Sequence, residues 1–246
     1  MSKPDDYDTE NFVGALKNFG ITPYENQIRM FIRYYEMLTE WNRSVNLTAI
    51  TDFDGVMIKH FADSASFAVL NLPTDQKQLI DIGTGAGFPG IPLKILFPEL
   101  QVTLMDSLNK RIAFLNAVIG ELGLTGIQAI HMRAEDAGRN NLYREQFDYC
   151  VSRAVANLAT LSEYCIPLIK TDGIFVSYKS ADTEKELEDT GDALLKLNAK
   201  IEKKEDLAID CRGEKLKRRL VVIRKTGPTP EKYPRKAGIP SKRPLK

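Results

Sequence analysis

The residues best suited by type and spacing to chemistry fall in one stretch, LIDIGTGAGFPGIPL, at Leu79 to Leu93. An apolar run reaches Asp81, then meets Gly83, Gly85 and Gly87 at alternate positions, with Gly90 where a helix should begin. Glycine allows tight backbone turns and lets a ligand approach without meeting a Cβ. A helix start adds unpaired N–H groups. Gly85-x-Gly87-x-x-Gly90 satisfies the dinucleotide fingerprint, with Asp106 ending the next apolar run about 20 residues on, where a ribose-binding acid belongs. On spacing alone a nicotinamide-dependent oxidoreductase is therefore one reading. Nucleophilic catalysis is not suggested, because the chain has only two histidines and no nucleophile–base pattern. Its three cysteines (Cys150, Cys165, Cys211) form no C-x-x-C, which argues against a disulfide framework or a zinc site and for a reducing cytosol.

These residues need a scaffold, and the chain supplies two grammars. From Asp8 to about Leu70 apolar residues recur at helical spacing: Phe12, Leu16, Phe19, then Ile28, Phe31, Ile32, Tyr35, Leu38 and Trp41 after a start signal at Thr22-Pro23. A further helical run covers Phe53 to Leu70, with a break expected near Asp63-Ser64. From Lys77 short β-rich runs (QLIDIG, QVTLMDS, GIQAIHM, FDYCVSRA, GIFVSYK) alternate with helix-length segments at Gly90–Phe97, Lys110–Leu122, Asn157–Ile169 and Thr183–Asn198. That alternation implies βαβ units and a parallel sheet, an α/β fold. Lys200–Ile209 and Arg218–Lys225 break it and should pair as an antiparallel hairpin. The expected organisation is an N-terminal helical extension over 1–72, an α/β domain over 73–228 and a basic, proline-rich arm over 229–246.

Charge divides the chain in the same place. Arg212 to Lys246 holds 13 Lys/Arg and 2 Asp/Glu, a balance of +11, whereas the preceding residues hold 21 basic and 31 acidic, a balance of −10. An overall +1 thus conceals an acidic body with a basic end, and such asymmetry points to a polyanionic partner. No apolar run approaches the ~18 residues of a membrane span, and MSKPDDYDTE lacks the apolar core of a secretory signal.

Asp81-x-Gly83-x-Gly85-x-Gly87 also resembles the first motif of class I S-adenosylmethionine (SAM)-dependent methyltransferases. Singly spaced glycines follow an acid that could address the methionine ammonium, and Pro89 is awkward for a pyrophosphate cradle. That fold, a seven-stranded Rossmann-like sheet, also ends in an antiparallel hairpin. DIGTGAGFPGIPL, SRA at Ser152–Ala154, WNRSVNLT at Trp41–Thr48, KHFADS at Lys59–Ser64 and the C-terminal YPRKAGIPSKRPL together resemble the glucose-inhibited division protein B family, over nearly the whole chain. Members use SAM to methylate N7 of a guanine in bacterial 16S ribosomal RNA. The resemblance implies a cytoplasmic rRNA methyltransferase, a monomer with no membrane association and no metal. It implies a cofactor site of Asp81, Gly83, Gly85, Gly87, Phe88, Asp106, Ala134 and Glu135. Arg153, at the junction of cofactor and substrate, is the candidate catalytic residue. His60 and Asp63 read as RNA-side or packing residues. Arg43, Lys215, Lys217, Arg218, Arg235, Lys236, Lys242 and Arg243 are the RNA-binding candidates. Deleting 229–246 should then weaken RNA binding and leave SAM affinity nearly unchanged. A non-catalytic RNA-binding module on the same scaffold is a third reading.

Overall fold

In the computed structural model the described residues are 7–153 and 155–246. The extreme N-terminal residues, read above as non-secretory, and Ala154 of the SRA motif lie outside them. Seven strands form one sheet: β1 (Gln78–Ile82), β2 (Gln101–Asp106), β3 (Ile127–His131), β4 (Phe147–Arg153), β5 (Ile169–Ser180), β6 (Ala199–Cys211) and β7 (Glu214–Lys225). The order is β3-β2-β1-β4-β5-β7-β6. The first five pair in parallel, and β7 inserts antiparallel between β5 and β6. This is the expected α/β sheet with its closing hairpin, and the strand order reverses between β1 and β4. In open α/β sheets ligands bind at such a switch, beyond the carboxyl ends of the strands.

Both faces of the central strands are covered, so β1, β2, β4 and the middle of β5 are almost continuously buried, whereas β6 at the edge is largely exposed. One face packs against α1 (Glu10–Asn18), α2 (Glu25–Val45), α3 (Gly90–Leu96) and α4 (Asn109–Glu121). Phe12, Phe31, Tyr34 and Phe61 share a single cluster with Leu79, Val102 and Phe114, so the N-terminal helices and the sheet have a common core. The opposite face packs against α5 (Leu158–Cys165), two short helices at Glu184–Glu188 and Gly191–Lys196, and the C-terminal segment through Tyr233 and Leu245. Cys150 and Cys165 are buried on that side, and Cys211 is partly exposed.

Three local expectations need correction. Helix α2 starts at Glu25, not at Thr22-Pro23, because Gln27 accepts the Tyr24 N–H at 2.9 Å and donates to the Ile95 carbonyl at 2.7 Å. One side chain thereby caps α2 and pins it to α3. The segment from Phe53 to Leu70 is not broken at Asp63. It changes pitch instead, through a π-helical turn at Met57–Ala62, an α-turn at Asp63–Ala65 and a 3-10 turn at Ser66–Leu70. Such π-turns are frequent at functional sites. Nor is the C-terminal segment an extended arm. Arg144 donates to the Thr229 and Tyr233 carbonyls at 2.6 and 2.9 Å, Arg139 donates to the Pro234 carbonyl at 2.8 Å, and a short helix forms at Ile239–Lys242. Of the described helices none is long and apolar enough to cross a membrane.

Candidate active site

A cavity of about 580 Å³ opens at the carboxyl ends of β1, β2 and β4, within the range of ~300–1,000 Å³ common for small-molecule sites. Its floor is the glycine loop. Gly85 has φ +62°, and a Cβ there would meet nothing nearer than 4.0 Å, so the loop's backbone faces open space at this position. The Gly85 N–H donates to Asp106 Oδ2 at 3.0 Å. Asp106 is 3% exposed, lines the cavity, and also accepts from the Leu108 N–H at 2.9 Å and Arg111 Nη1 at 3.0 Å. A carboxylate thus stands at the end of β2, fixed by backbone and available to a diol. Beyond it Met132, Arg133, Ala134, Glu135 and Tyr164 continue the wall. Burial and the Glu135 charge push the Tyr164 hydroxyl up from its ordinary range.

Two residues expected to touch the ligand sit elsewhere. Strand alternation turns Asp81 away from the cavity that Ile82 lines. Asp81 is fully buried, and its Oδ2 accepts from Thr84 Oγ1 at 2.7 Å and the Gly90 N–H at 2.8 Å. It braces the loop from behind, and burial lifts its carboxyl to about 7. Gly87 serves packing as well: at φ +99° an added Cβ would stand 2.6 Å from the Tyr34 hydroxyl. That hydroxyl donates to the Ala86 carbonyl, so α2 holds the loop from its core side.

Another part of the cavity wall is built by residues far apart in sequence. The Phe88 ring stacks on the His60 imidazole, with centroids 4.7 Å apart, and the Arg153 guanidinium lies 5.0 Å from the same ring. Arg153 Nη1 donates to Asp63 Oδ2 at 2.8 Å, and Arg218 Nε donates to Asp63 Oδ1 at 2.9 Å. Asp63 is 2% exposed and clamps two arginines across the seam between the helical extension and the sheet. Arg153 Nη2 approaches His60 Nδ1 at 3.3 Å. A guanidinium can only donate, so Nδ1 accepts and the ring proton sits on Nε2, which meets Thr48 Oγ1 at 2.7 Å. Burial and the Arg153 charge lower His60 to about 4, so the ring is neutral at ordinary pH.

Most expected residues therefore converge: Gly83, Gly85, Phe88, Asp106, Ala134, Glu135 and Arg153 all line this cavity. The basic candidates do not form one patch. On β7 alternate residues face opposite sides, so Arg218 turns inward to Asp63 while Lys215 and Lys217 remain exposed. Arg235 is tied to Glu163, itself fully buried, by Nε at 2.9 Å and Nη2 at 2.6 Å, because a buried carboxylate demands a cation. Neither arginine is the free phosphate contact expected. Arg43, Lys236, Lys242 and Arg243 are exposed. Sequence reasoning missed Thr48, Arg111, Arg133, Tyr164, Gly238 and Ser241 in the lining and underrated His60 and Asp63. Thr48, His60, Asp63, Gly238 and Ser241 fall in the quoted family blocks, whereas Arg111 was signalled by lying five residues beyond the Asp106 that it pairs with.

Residues 27–220 match the protein family GidB, described as rRNA small subunit methyltransferase G. The chain is 47% identical over 236 residues to a ribosomal RNA small subunit methyltransferase G of Exiguobacterium sibiricum, covering 96% of this chain and 98% of the relative. It is 50% identical over 232 residues to the protein of that name from Desulforamulus reducens, covering 94% and 95%. Among solved structures, a branched-chain polyamine synthase mutein of Thermus thermophilus aligns at a TM-score of 0.53 and 14% identity, covering 80% of this chain and 64% of that one. TrmN from Thermus thermophilus aligns at 0.50 and 15%, covering 69% and 53%. These two likenesses concern the fold. Membership leaves the nicotinamide oxidoreductase reading without support, and the fingerprint that suggested it is here a loop braced by Asp81 and Asp106. By a match over most of its length and close to half identity with its relatives, the chain belongs to the GidB family, the rRNA small subunit methyltransferase G family.

Proposed function

We propose that this chain transfers a methyl group from SAM to N7 of one guanine in 16S rRNA, acting as a cytoplasmic monomer. The observation that carries this is a single cavity lined by a glycine loop, by the fixed carboxylate of Asp106 and by Arg153 held over Phe88. The residues fit the cofactor. Asp106 would accept from its ribose hydroxyls, Gly85 would admit it without a Cβ, and Ala134 and Glu135 would flank its adenosine. A Cβ at Gly83 would instead meet the Val155 side chain at 2.5 Å, so that glycine serves packing. SAM would supply a sulfonium methyl carbon that the N7 lone pair of guanine can attack in line, the carbon–sulfur bond breaking and its electron pair leaving with S-adenosylhomocysteine. N7 loses no proton, so the site needs no base, in keeping with a His60 that is neutral and already committed to Thr48 and Arg153.

The chain's contribution is then positioning and electrostatics. Asp63, Lys59, His60 and Phe88 fix the guanidinium of Arg153. Arg153 Nε has no hydrogen-bond partner among the described residues. It can donate to guanine O6, orienting the base while leaving N7 free. Leu47, Thr48 and His60 bring the helical extension (1–72) to the cavity wall, and the cofactor would rest mainly against the 73–228 part. The target base must leave its stack or lie in irregular RNA to enter. Exposed Arg43, Lys215, Lys217, Lys236, Lys242 and Arg243 would meet phosphates, whereas Arg218 and Arg235 serve the architecture.

The test is incubation of the protein with labelled SAM and small subunits from a strain lacking the gene, followed by chemical cleavage at N7-methylguanine. Label at a single guanine, lost in Arg153→Ala while RNA binding persists, is expected. Binding of RNA without label transfer would overturn the assignment in favour of a non-catalytic module.

A further inference from the structure

The C-terminal segment reaches the cavity. Gly238 and Ser241 lie in its wall, which Glu135 and Tyr164 also line. The Gly238 N–H donates to Glu135 Oε1 at 2.9 Å, and its φ of +79° is one a side chain rarely adopts. The placement is anchored on both sides. Upstream, Glu163 takes the Arg235 N–H at 2.7 Å as well as its guanidinium, and downstream Thr160 Oγ1 donates to the Pro240 carbonyl at 3.2 Å. Tyr233 and Leu245, both buried, fix the two ends in the core. A solvated RNA-binding tail would need none of these attachments. Its exposed cations Lys236, Lys242 and Arg243 stand on a segment whose other side borders the cavity.

We propose that residues 234–243 are a cofactor-binding element, the wall that encloses the adenosine end of the site, with Gly238 and Ser241 facing an adenine nucleoside across from Tyr164. Glu135 acts in this through the Gly238 N–H as well as through the ligand, so one carboxylate joins the wall to the pocket. This deepens the SAM reading above and rests on it, and it reverses the expectation that the segment can be removed without loss of cofactor affinity.

The experiment uses S-adenosylhomocysteine as the probe. Calorimetric titration compares the intact chain, a chain ending at 228, and Ser241→Trp, which adds bulk at an exposed lining position. Hydrogen exchange follows the amides of 234–243 in the intact chain with and without saturating probe. Both variants should bind roughly tenfold more weakly or worse, the shortened chain because it loses this wall and Ser241→Trp because its indole takes up space in the cavity, and the intact segment should exchange more slowly when the probe is bound. Unchanged affinity in Ser241→Trp, or unchanged exchange over 234–243, overturns the proposal. If the shortened chain fails to fold, Ser241→Trp and the exchange data decide alone. An intact chain that meets both expectations yet transfers no methyl group refutes the functional reading and leaves the wall standing. One that binds no probe refutes both.

Discussion

Asp63→Asn should be among the most damaging conservative changes in this protein. The carboxylate is 2% exposed and accepts from Arg153 at 2.8 Å and Arg218 at 2.9 Å. A hydrogen bond to a charged group is worth about 1.5–3 kcal/mol, and removing one partner of a buried pair leaves the other charge uncompensated. The Arg153 side chain is 13% exposed, but that of Arg218 is 24% exposed and partly screened by water. The loss should thus sit near ~3–4 kcal/mol, not the full sum of two buried pairs. For a chain of this size that is a fall of ~10 °C in melting temperature. Freed from Asp63, Arg153 loses its orientation over Phe88, so kcat should drop ~100-fold while S-adenosylhomocysteine affinity changes little. Urea denaturation, calorimetry and single-turnover methyl transfer read the three quantities. Pairing Asp63→Asn with Arg218→Met should cost less than the two single losses added, because one stranded charge is gone. A loss below ~1 kcal/mol, strict additivity, or an unchanged kcat would refute the clamp.

Further consequences concern pH, packing and charge. His60, lowered to about 4 by burial and the Arg153 charge, binds fewer protons folded than unfolded below its ordinary 6.5, so its contribution to stability rises with pH from about 4 to 6.5. Asp81, raised to about 7 by burial, binds more protons folded than unfolded above its ordinary 3.8, so its contribution falls with pH up to about 7. The two slopes oppose: relative to the unaltered chain, His60→Gln should make the slope of stability against pH more negative between about 4 and 6.5, and Asp81→Asn should make it more positive between about 4 and 7. A pH profile of unfolding free energy that keeps the same slope in both variants would contradict this. Phe88→Ala should cost ~3 kcal/mol, the low end for a buried ring because Phe88 borders the cavity, and should weaken S-adenosylhomocysteine binding in calorimetry. Lys215→Glu with Lys217→Glu should leave the melting temperature unchanged and lower the log–log salt slope of RNA binding by ~1 for each phosphate no longer neutralised, read by filter binding over a salt series.

Some of this was legible in residue order because its physics is local. The strands and the closing hairpin follow from apolar runs and their spacing, and the glycine loop announces itself through four glycines where a backbone must turn and remain bare. Even so, local spacing left two ligands open for that loop. Asp81 and Gly87 were placed at the ligand because a linear motif does not say which side of a strand or turn a residue takes. Arg218 and Arg235 read as free cations because sequence shows a charge and not its partner. Asp63 lies 90 residues from Arg153 and 155 from Arg218. No periodicity encodes that meeting.

By itself, then, the sequence determined the kind of fold, the bare loop, the carboxylate of Asp106 at the end of the next strand and the basic character of the C-terminal end. Each depends on propensity, spacing or composition, which are properties of neighbours along the chain. Tertiary structure alone decided which charges are spent on one another and which stay exposed. It also decided that His60 stacks on Phe88, and that the C-terminal segment returns to the cavity instead of trailing from the hairpin. Those outcomes depend on where the folded backbone excludes water, because a carboxylate there, as at Asp63, Asp81 and Glu163, must find its partners wherever the fold has brought them.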